Sequence, residues 1–361
     1  MTHRTQTRTV RVGRLPVGGG APVSVQSMCN VDPHDVEALC SQIDRCAALG
    51  CDIMRLTVPD RAAAETFRAV RRRSPLPLVA DIHFDYRLAL AAIDAGADAL
   101  RLNPGNIGGR ERVQAVVRAA KAARVPIRIG VNFGSLEKDL DAEVRAGKLP
   151  VPEALCRSAL CHLKLLEDEG FFSAVVSAKA SNVPDTLAVY RLLAERTDCP
   201  LHVGVTEAGT FLPGTVRNSV ALGILLSEGL GDTIRVSLTA EPEKEVRVGM
   251  EILRALGLRA PGPAITSCPT CGRTRVDLFK VAAEVENALE ALARARGPHA
   301  RPLPHVAVMG CAVNGPGEAK NAEVALCGGQ GEFLLYVRGR PVGKVPEEKA
   351  VEEVLKYVVS L

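Results

Sequence analysis

Polar side chains recur at a spacing of two inside segments that otherwise read as buried strands. Arg55 and Thr57, Asp81 and His83, Arg101 and Asn103, Ser177 and Lys179, and Arg235 and Ser237 form such pairs, and Arg128 and Asn132 keep the same parity. That spacing puts both members of a pair on one face of a strand. A single arginine in an apolar interior is costly unless it is paired. Here Arg55, Arg101, Arg128, Arg235 and Lys179 outnumber the carboxylates that the same pattern offers, Asp81 and Glu207. Such a cationic excess makes sense where an anion completes it, and several guanidinium forks suit a diphosphate.

A second group of residues points to metal chemistry. Cys268 and Cys271 form a CxxC in SCPTCGR, and Cys311 follows in GCAVNGPGEAK. Thiolates at this spacing hold zinc or an iron–sulfur cluster equally well. The fourth ligand is open among Cys327, His305 and Glu318, and spacing alone favours Cys327. Zinc ribbons bring two CxxC knuckles and this chain has one, which favours a [4Fe–4S] cluster. The remaining cysteines, Cys29, Cys40, Cys46, Cys51, Cys156, Cys161 and Cys199, read as small apolar packing residues.

The elements that carry these residues alternate regularly. Candidate strands cover Val23–Met28, Ile53–Thr57, Pro77–Ile82, Ala99–Asn103, Ile127–Asn132, Ala174–Ala180, Leu201–Thr206 and Thr233–Thr239. Most are separated by amphipathic, Ala- and Leu-rich stretches. Eight repeated βα units predict a parallel (β/α)8 TIM barrel over residues 1–258. An open doubly wound sheet is the competing arrangement. In the barrel, the polar pairs gather at the mouth formed by the C-terminal strand ends, where barrel active sites lie. Ahead of these units, Val10–Val12 reads as leading into the first strand, and Gly18–Gly20 as a hairpin turn at the barrel floor. The long crossover Phe133–Ser173 has room for an extra helix. At GLRAPGP the pattern breaks, which marks a linker over 259–264. Residues 265–361 then read as a small α+β domain holding the cysteine motifs.

Composition excludes several function classes. The chain has 361 residues, with a net charge of +4, 3% aromatic residues and no Trp. A stacking platform for single-stranded nucleic acid needs more aromatic faces, so no nucleic-acid partner is expected. No apolar run is long enough to span a membrane. The N-terminal segment lacks the apolar core of a secretory leader. Eleven cysteines without an export signal read as thiols of a reducing, cytoplasmic compartment. Lys179 alone also fits the Schiff-base lysine of a barrel lyase or aldolase, with the cysteines as a structural zinc site.

SCPTCGR and GCAVNGPGEA together resemble the cluster domain of the bacterial 4-hydroxy-3-methylbut-2-en-1-yl diphosphate synthase family. PVSVQSM, MRLTVPD, ADIHFDYRLAL, LRLNPGNIG, RIGVNFGSLE, SAKASN, HVGVTEAG and IRVSLT follow the family's barrel motifs in order. The resemblance implies an iron–sulfur oxidoreductase of the methylerythritol phosphate route to isoprenoids, acting on 2-C-methyl-D-erythritol 2,4-cyclodiphosphate. It implies Cys268, Cys271, Cys311 and Glu318 as ligands of a [4Fe–4S] cluster, which decides against Cys327. It also implies Arg55, Arg101, Arg128 and Lys179 as diphosphate ligands. Asn103, Asn132, His83, Arg235, Ser237 and Asn314 would shape the substrate pocket, and Glu207 would act as an acid/base or positioning carboxylate. Electrons would come from flavodoxin or ferredoxin, because no nicotinamide or flavin fingerprint is present. Family members work as homodimers in which the cluster domain of one subunit caps the barrel of the other.

Overall fold

The computed structural model describes residues 3–260, 262, 264–296, 301–313 and 315–361. The chain divides into two compact units, Met1–Arg259 and Ala260–Leu361. In the first unit, β1 (Val10–Val12) and β2 (Leu15–Val17) form an antiparallel hairpin. Eight parallel strands follow: β3 (Ser24–Met28), β4 (Ile53–Thr57), β5 (Leu78–Asp81), β6 (Ala99–Leu102), β7 (Ile127–Asn132), β8 (Ala174–Lys179), β9 (His202–Val203) and β10 (Thr233–Ile234). Their order is β8-β7-β6-β5-β4-β3-β10-β9. A parallel bridge between Val176 and Leu201 joins β8 to β9 and closes the ring. This is the expected TIM barrel and not an open sheet.

The last two barrel strands are shorter than the sequence suggests, with a ladder of only two residues each. Val10–Val12 does not run on into the first barrel strand. It turns back at Gly13–Arg14, and Gly18, Gly19 and Gly20, all at positive φ, carry the chain from the finished hairpin towards β3. Three successive positive φ values suit glycine, since a Cβ there is strained. The hairpin packs Val12 and Val17 onto Ile53, Val79 and Ala99, and so plugs the barrel floor. The long crossover carries the extra helix Lys138–Arg145.

Aspartate and asparagine caps set where several strand-to-helix loops end. The side chains of Asp35, Asp60, Asp85 and Asn182 accept from the N–H groups of Ala38, Ala63, Arg87 and Asp185, at the starts of helices Val36–Ala48, Arg61–Arg73, Tyr86–Asp94 and Val183–Arg196. Such caps satisfy N–H groups that the helix itself leaves free, and each is worth about 1 kcal/mol. They fix the loops around the barrel mouth. Among the described residues no helix is long and apolar enough to cross a membrane.

The second unit is a five-stranded sheet in sequential order: β11 (Ile265–Ser267), β12 (Val306–Met309), β13 (Val324–Gly328), β14 (Glu332–Val337) and β15 (Arg340–Pro346). The first three strands are parallel and the last two pair antiparallel. Helices Leu278–Arg296 and Ala350–Ser360 cover the sheet. Leu278, Val281, Val285 and Leu289, at helical spacing, meet Val306, Val308, Val324 and Leu326 in a core of their own.

Candidate active site

Strand register gathers the polar pairs. Thr57, Asp81, Arg101 and Arg128 are register partners in turn across β4 to β7, and Asn132 pairs with Lys179 between β7 and β8. Asp81 is the hub. Its carboxylate accepts from Arg101 Nη1 at 3.2 Å and lies 3.7 Å from both Arg55 Nε and His83 Nε2. Arg101 also donates from Nη2 to the Gly130 carbonyl at 2.8 Å. Two glycines make room for the long cations. A Cβ on Gly130 would lie 2.5 Å from Arg101 Nε, and one on Gly204 would lie 2.9 Å from Lys179 Nζ.

The electrostatics follow from burying cations beside one another. Burial drives the Arg55 guanidinium down to about 10, and Arg235 and Arg101 push in the same direction against the pull of Asp81. Arg128 is lowered well below an ordinary arginine, by burial first and then by Arg55 and Arg101. Burial, with Arg235, Arg128 and Arg55, does the same to Lys179. Burial would raise Asp81, but Arg55, His83 and Arg101 overcome it and hold the carboxyl well below the usual carboxylate range. The mouth therefore holds several cations that lack full compensation.

Other anticipated residues take more varied places. Asn103 is buried, and its Oδ1 accepts from the Gly130 N–H at 2.9 Å. The Asn132 N–H and carbonyl both bond the Ser135 hydroxyl at 3.0 Å. Ser237 is half-buried. His83 lies beyond the end of β5, with its side chain 54% exposed. Glu207 is exposed in the loop after β9 and has φ +52, a conformation uncommon outside glycine. Such strained positions concentrate at functional sites.

One buried carboxylate was missed. Glu245, on helix Pro242–Ala255, is 4% exposed and reaches Arg235 Nη2 at 3.2 Å. It also accepts from the Ser27 hydroxyl at 2.8 Å and the Leu238 N–H at 3.0 Å. The available signal was its position. Glu245 shares the buried stripe of its helix with Gly249, Ile252 and Leu253, where a carboxylate must have partners.

In the second unit, Cys268 and Cys311 directly follow β11 and the residue after β12, two adjacent parallel strands. The Gly310 N–H donates to Cys268 Sγ at 3.3 Å. Cys268 and Cys311 are half-buried and Cys271 is exposed. Cys327 is fully buried in β13, opposite Met309, and burial pushes its thiol up to about 11. Glu318 ends the short helix Gly315–Glu318. Its side chain, and Asn314 altogether, lie outside the described residues. Among the described residues no three His, Cys, Asp or Glu side chains are gathered closely enough to hold a metal ion. The donor chemistry still fits an iron–sulfur group: the three motif thiols are the accessible ones in this unit, and one already receives a backbone N–H. Of the other cysteines, six are buried, whereas Cys161 is exposed rather than packed.

Comparison with known proteins covers nearly the whole chain. A family described as the GcpE TIM-barrel domain matches residues 7–250, and the GcpE protein C-terminal domain matches residues 264–360. A protein of Geobacter sulfurreducens named 4-hydroxy-3-methylbut-2-en-1-yl diphosphate synthase (flavodoxin) is 54% identical over 99% of this chain and 98% of its own length. Proteins of the same name from Symbiobacterium thermophilum and Clostridium acetobutylicum are 51% and 50% identical, each over 99% of this chain and over 94% and 100% of their own lengths. The crystal structure of 3-dehydroquinate dehydratase from Geobacillus kaustophilus aligns with a TM-score of 0.50 at 15% identity, over 71% of this chain and 99% of that one, a likeness of fold alone.

Proposed function

This chain belongs to the GcpE family, and from that membership we propose that its barrel mouth is a diphosphate site and that Cys268, Cys271, Cys311 and Glu318 hold a [4Fe–4S] cluster. The reaction is that of 4-hydroxy-3-methylbut-2-en-1-yl diphosphate synthase. The ring of 2-C-methyl-D-erythritol 2,4-cyclodiphosphate opens at a C–O bond to phosphate. Two electrons and two protons enter, and one water leaves.

One observation carries the assignment of the barrel. Arg55, Arg101, Arg128, Arg235 and Lys179 converge where Asp81 and Glu245 are the buried carboxylates facing them. Burial and the repulsion of neighbouring cations disfavour the charged forms of Arg55, Arg128 and Lys179. A diphosphate supplies the missing negative charge and receives bidentate forks. Charge matching also disperses the negative charge that builds up on the departing phosphate oxygen. Asn103, Asn132, His83 and Ser237 frame the carbon skeleton, and the family resemblance assigns Asn314 to the same substrate. Glu207, exposed at the mouth, delivers a proton as water leaves.

Cys268, Cys271, Cys311 and Glu318 would hold the cluster, which would supply electrons one at a time and Lewis-acid character. Glu318 would be the more weakly held ligand, a carboxylate among three thiolates. Flavodoxin is the electron donor, in keeping with the names of the relatives. The enzyme is cytoplasmic and works as a homodimer. Phe84, Phe133 and Leu212, which stand exposed beyond the C-terminal ends of β5, β7 and β9, support an interface there. A Schiff-base role for Lys179 fits its lowered proton affinity, but the cyclic diphosphate has no carbonyl to condense with.

The test is an anaerobic assay of the reconstituted protein with the cyclic diphosphate and a chemical reductant. Turnover with about four irons per chain is expected. A colourless protein with stoichiometric zinc and no turnover overturns the reading.

A further inference from the structure

The imidazole of His202 has no part in the chemistry above. The residue lies in β9 with no exposed surface, and its carbonyl accepts from the Tyr190 hydroxyl at 2.7 Å. Among the described residues neither ring nitrogen has a hydrogen-bonding partner. Buried polar atoms are seldom left so, because each costs its full desolvation. Three neighbours share the condition. Nε and Nη2 of Arg128, Oε1 of Gln26 and Oγ1 of Thr233 are also buried without a partner. All four side chains line one cavity of about 20 Å³ in the barrel interior, with Val12 and Val17 of the plugging hairpin below it. His202 and Thr233 are register partners on adjacent strands, so they face it together.

A cavity of that size holds one water, provided it finds at least two polar partners. The four side chains provide them, and their hydrogen-bonding inventory is complementary. Arginine offers donors only, so its inner N–H groups need acceptors. Gln26 Oε1, the Thr233 hydroxyl, the water and one nitrogen of a neutral imidazole are acceptors. Burial, with the charges of Arg128, Lys179, Arg55 and Arg235, keeps a second proton off His202, which preserves that acceptor.

We propose that His202 is a positioning residue for substrate binding: with Gln26, Thr233 and one buried water it anchors the inner edge of the Arg128 guanidinium and turns the outer edge toward the diphosphate. This rests on the reading of Arg128 as a phosphate ligand. It predicts an effect on KM rather than on kcat, because the anchored arginine holds substrate and transition state alike.

The experiment uses the full-length, cluster-loaded enzyme with the cyclic diphosphate. His202→Phe keeps a ring of similar size and removes both nitrogens. KM should rise about tenfold with kcat within about threefold, the loss of one hydrogen bond to a charged group. His202→Gln, which restores an acceptor, should recover most of the loss. A folded His202→Phe enzyme with unchanged KM overturns the inference, and so does a His202→Gln enzyme no better than His202→Phe. Arg128→Gln separates the two readings. If its KM does not rise, the phosphate role of Arg128 fails; if it rises while that of His202→Phe does not, only the role of His202 fails. Should His202→Phe not fold, Thr233→Val removes a hydroxyl from the same cavity with little change of shape. A rise of about threefold in KM is expected there, and an unchanged KM overturns the inference.

Discussion

Glu245 holds Arg235 from outside the barrel's own strands: a helix carboxylate, 4% exposed, reaches the guanidinium at 3.2 Å and the Ser27 hydroxyl at 2.8 Å. Removing one member of a buried pair leaves the other uncompensated and costs about 3 kcal/mol. Glu245→Gln should therefore lower the unfolding free energy by that much at neutral pH, read as a lower urea midpoint at unchanged m. The deficit should shrink when the cyclic diphosphate is added, because the ligand returns negative charge to the same cations. A variant as stable as the parent, with or without substrate, would show that Glu245 is not the counter-charge.

Lys179 sets a pH dependence. Its amine binds a proton less well than a free lysine, whose ordinary value is about 10.4. A bound diphosphate raises that affinity again. In the window between the lowered free value and the raised bound value, binding takes up a proton, so affinity strengthens as pH falls and weakens as pH rises. For folding the sign is opposite to that of a stabilising lysine. The penalty for burying this cation is fully present below the lowered folded value and is relieved as pH climbs toward the ordinary value. Titration calorimetry in two buffers of different ionisation enthalpy detects the proton. Identical apparent enthalpies would rule out the linkage, and Lys179→Met should abolish it along with most of the affinity.

Glu207, the proposed proton donor, sits at a strained backbone position. A side chain at φ +52 carries a strain of about 1 kcal/mol that glycine does not. Glu207→Gly should therefore fold with unchanged or slightly higher stability, since glycine's own entropy cost offsets part of the gain. Turnover should fall by about a hundredfold or more, the usual loss for a general acid. Thermal unfolding and single-turnover rates on the same preparation check both halves.

The cysteine unit yields a paired prediction. Glu318→Ala should lose activity together with iron, whereas Cys327→Ser should keep its iron content, because Cys327 is buried in β13 with its thiol raised to about 11. Iron lost on Cys327→Ser and kept on Glu318→Ala would reverse the ligand assignment.

The barrel was legible because parallel strands write their inward face at every second residue. Arg55, Asp81, Arg101, Arg128 and Lys179 stood out as polar interruptions of that face. Two strands were drawn too long, since the ladder of His202–Val203 ends at Gly204, where Lys179 crosses the backbone closely. Glu245 was hidden because helices reveal their buried face by a broader period, within which one carboxylate looks solvated. His202 opens the motif HVGVTEAG, which by itself assigns it no role. Its meaning lay in what surrounds it, and no spacing in one strand reports contacts across four. The first hairpin was misplaced for a related reason: Gly18–Gly20 has turn composition, yet the tight reversal occurs at Gly13–Arg14.

That hairpin has a consequence at the opposite end of the barrel. Val12 and Val17 stopper the floor beneath the buried arginines and keep bulk water away from them. The strength with which a guanidinium attracts a phosphate depends on how little solvent shares the space. The hairpin of β1 and β2 therefore acts as an insulator. On the proposed diphosphate reading, the floor becomes a remote dial on affinity, tuning the far mouth without touching what binds there.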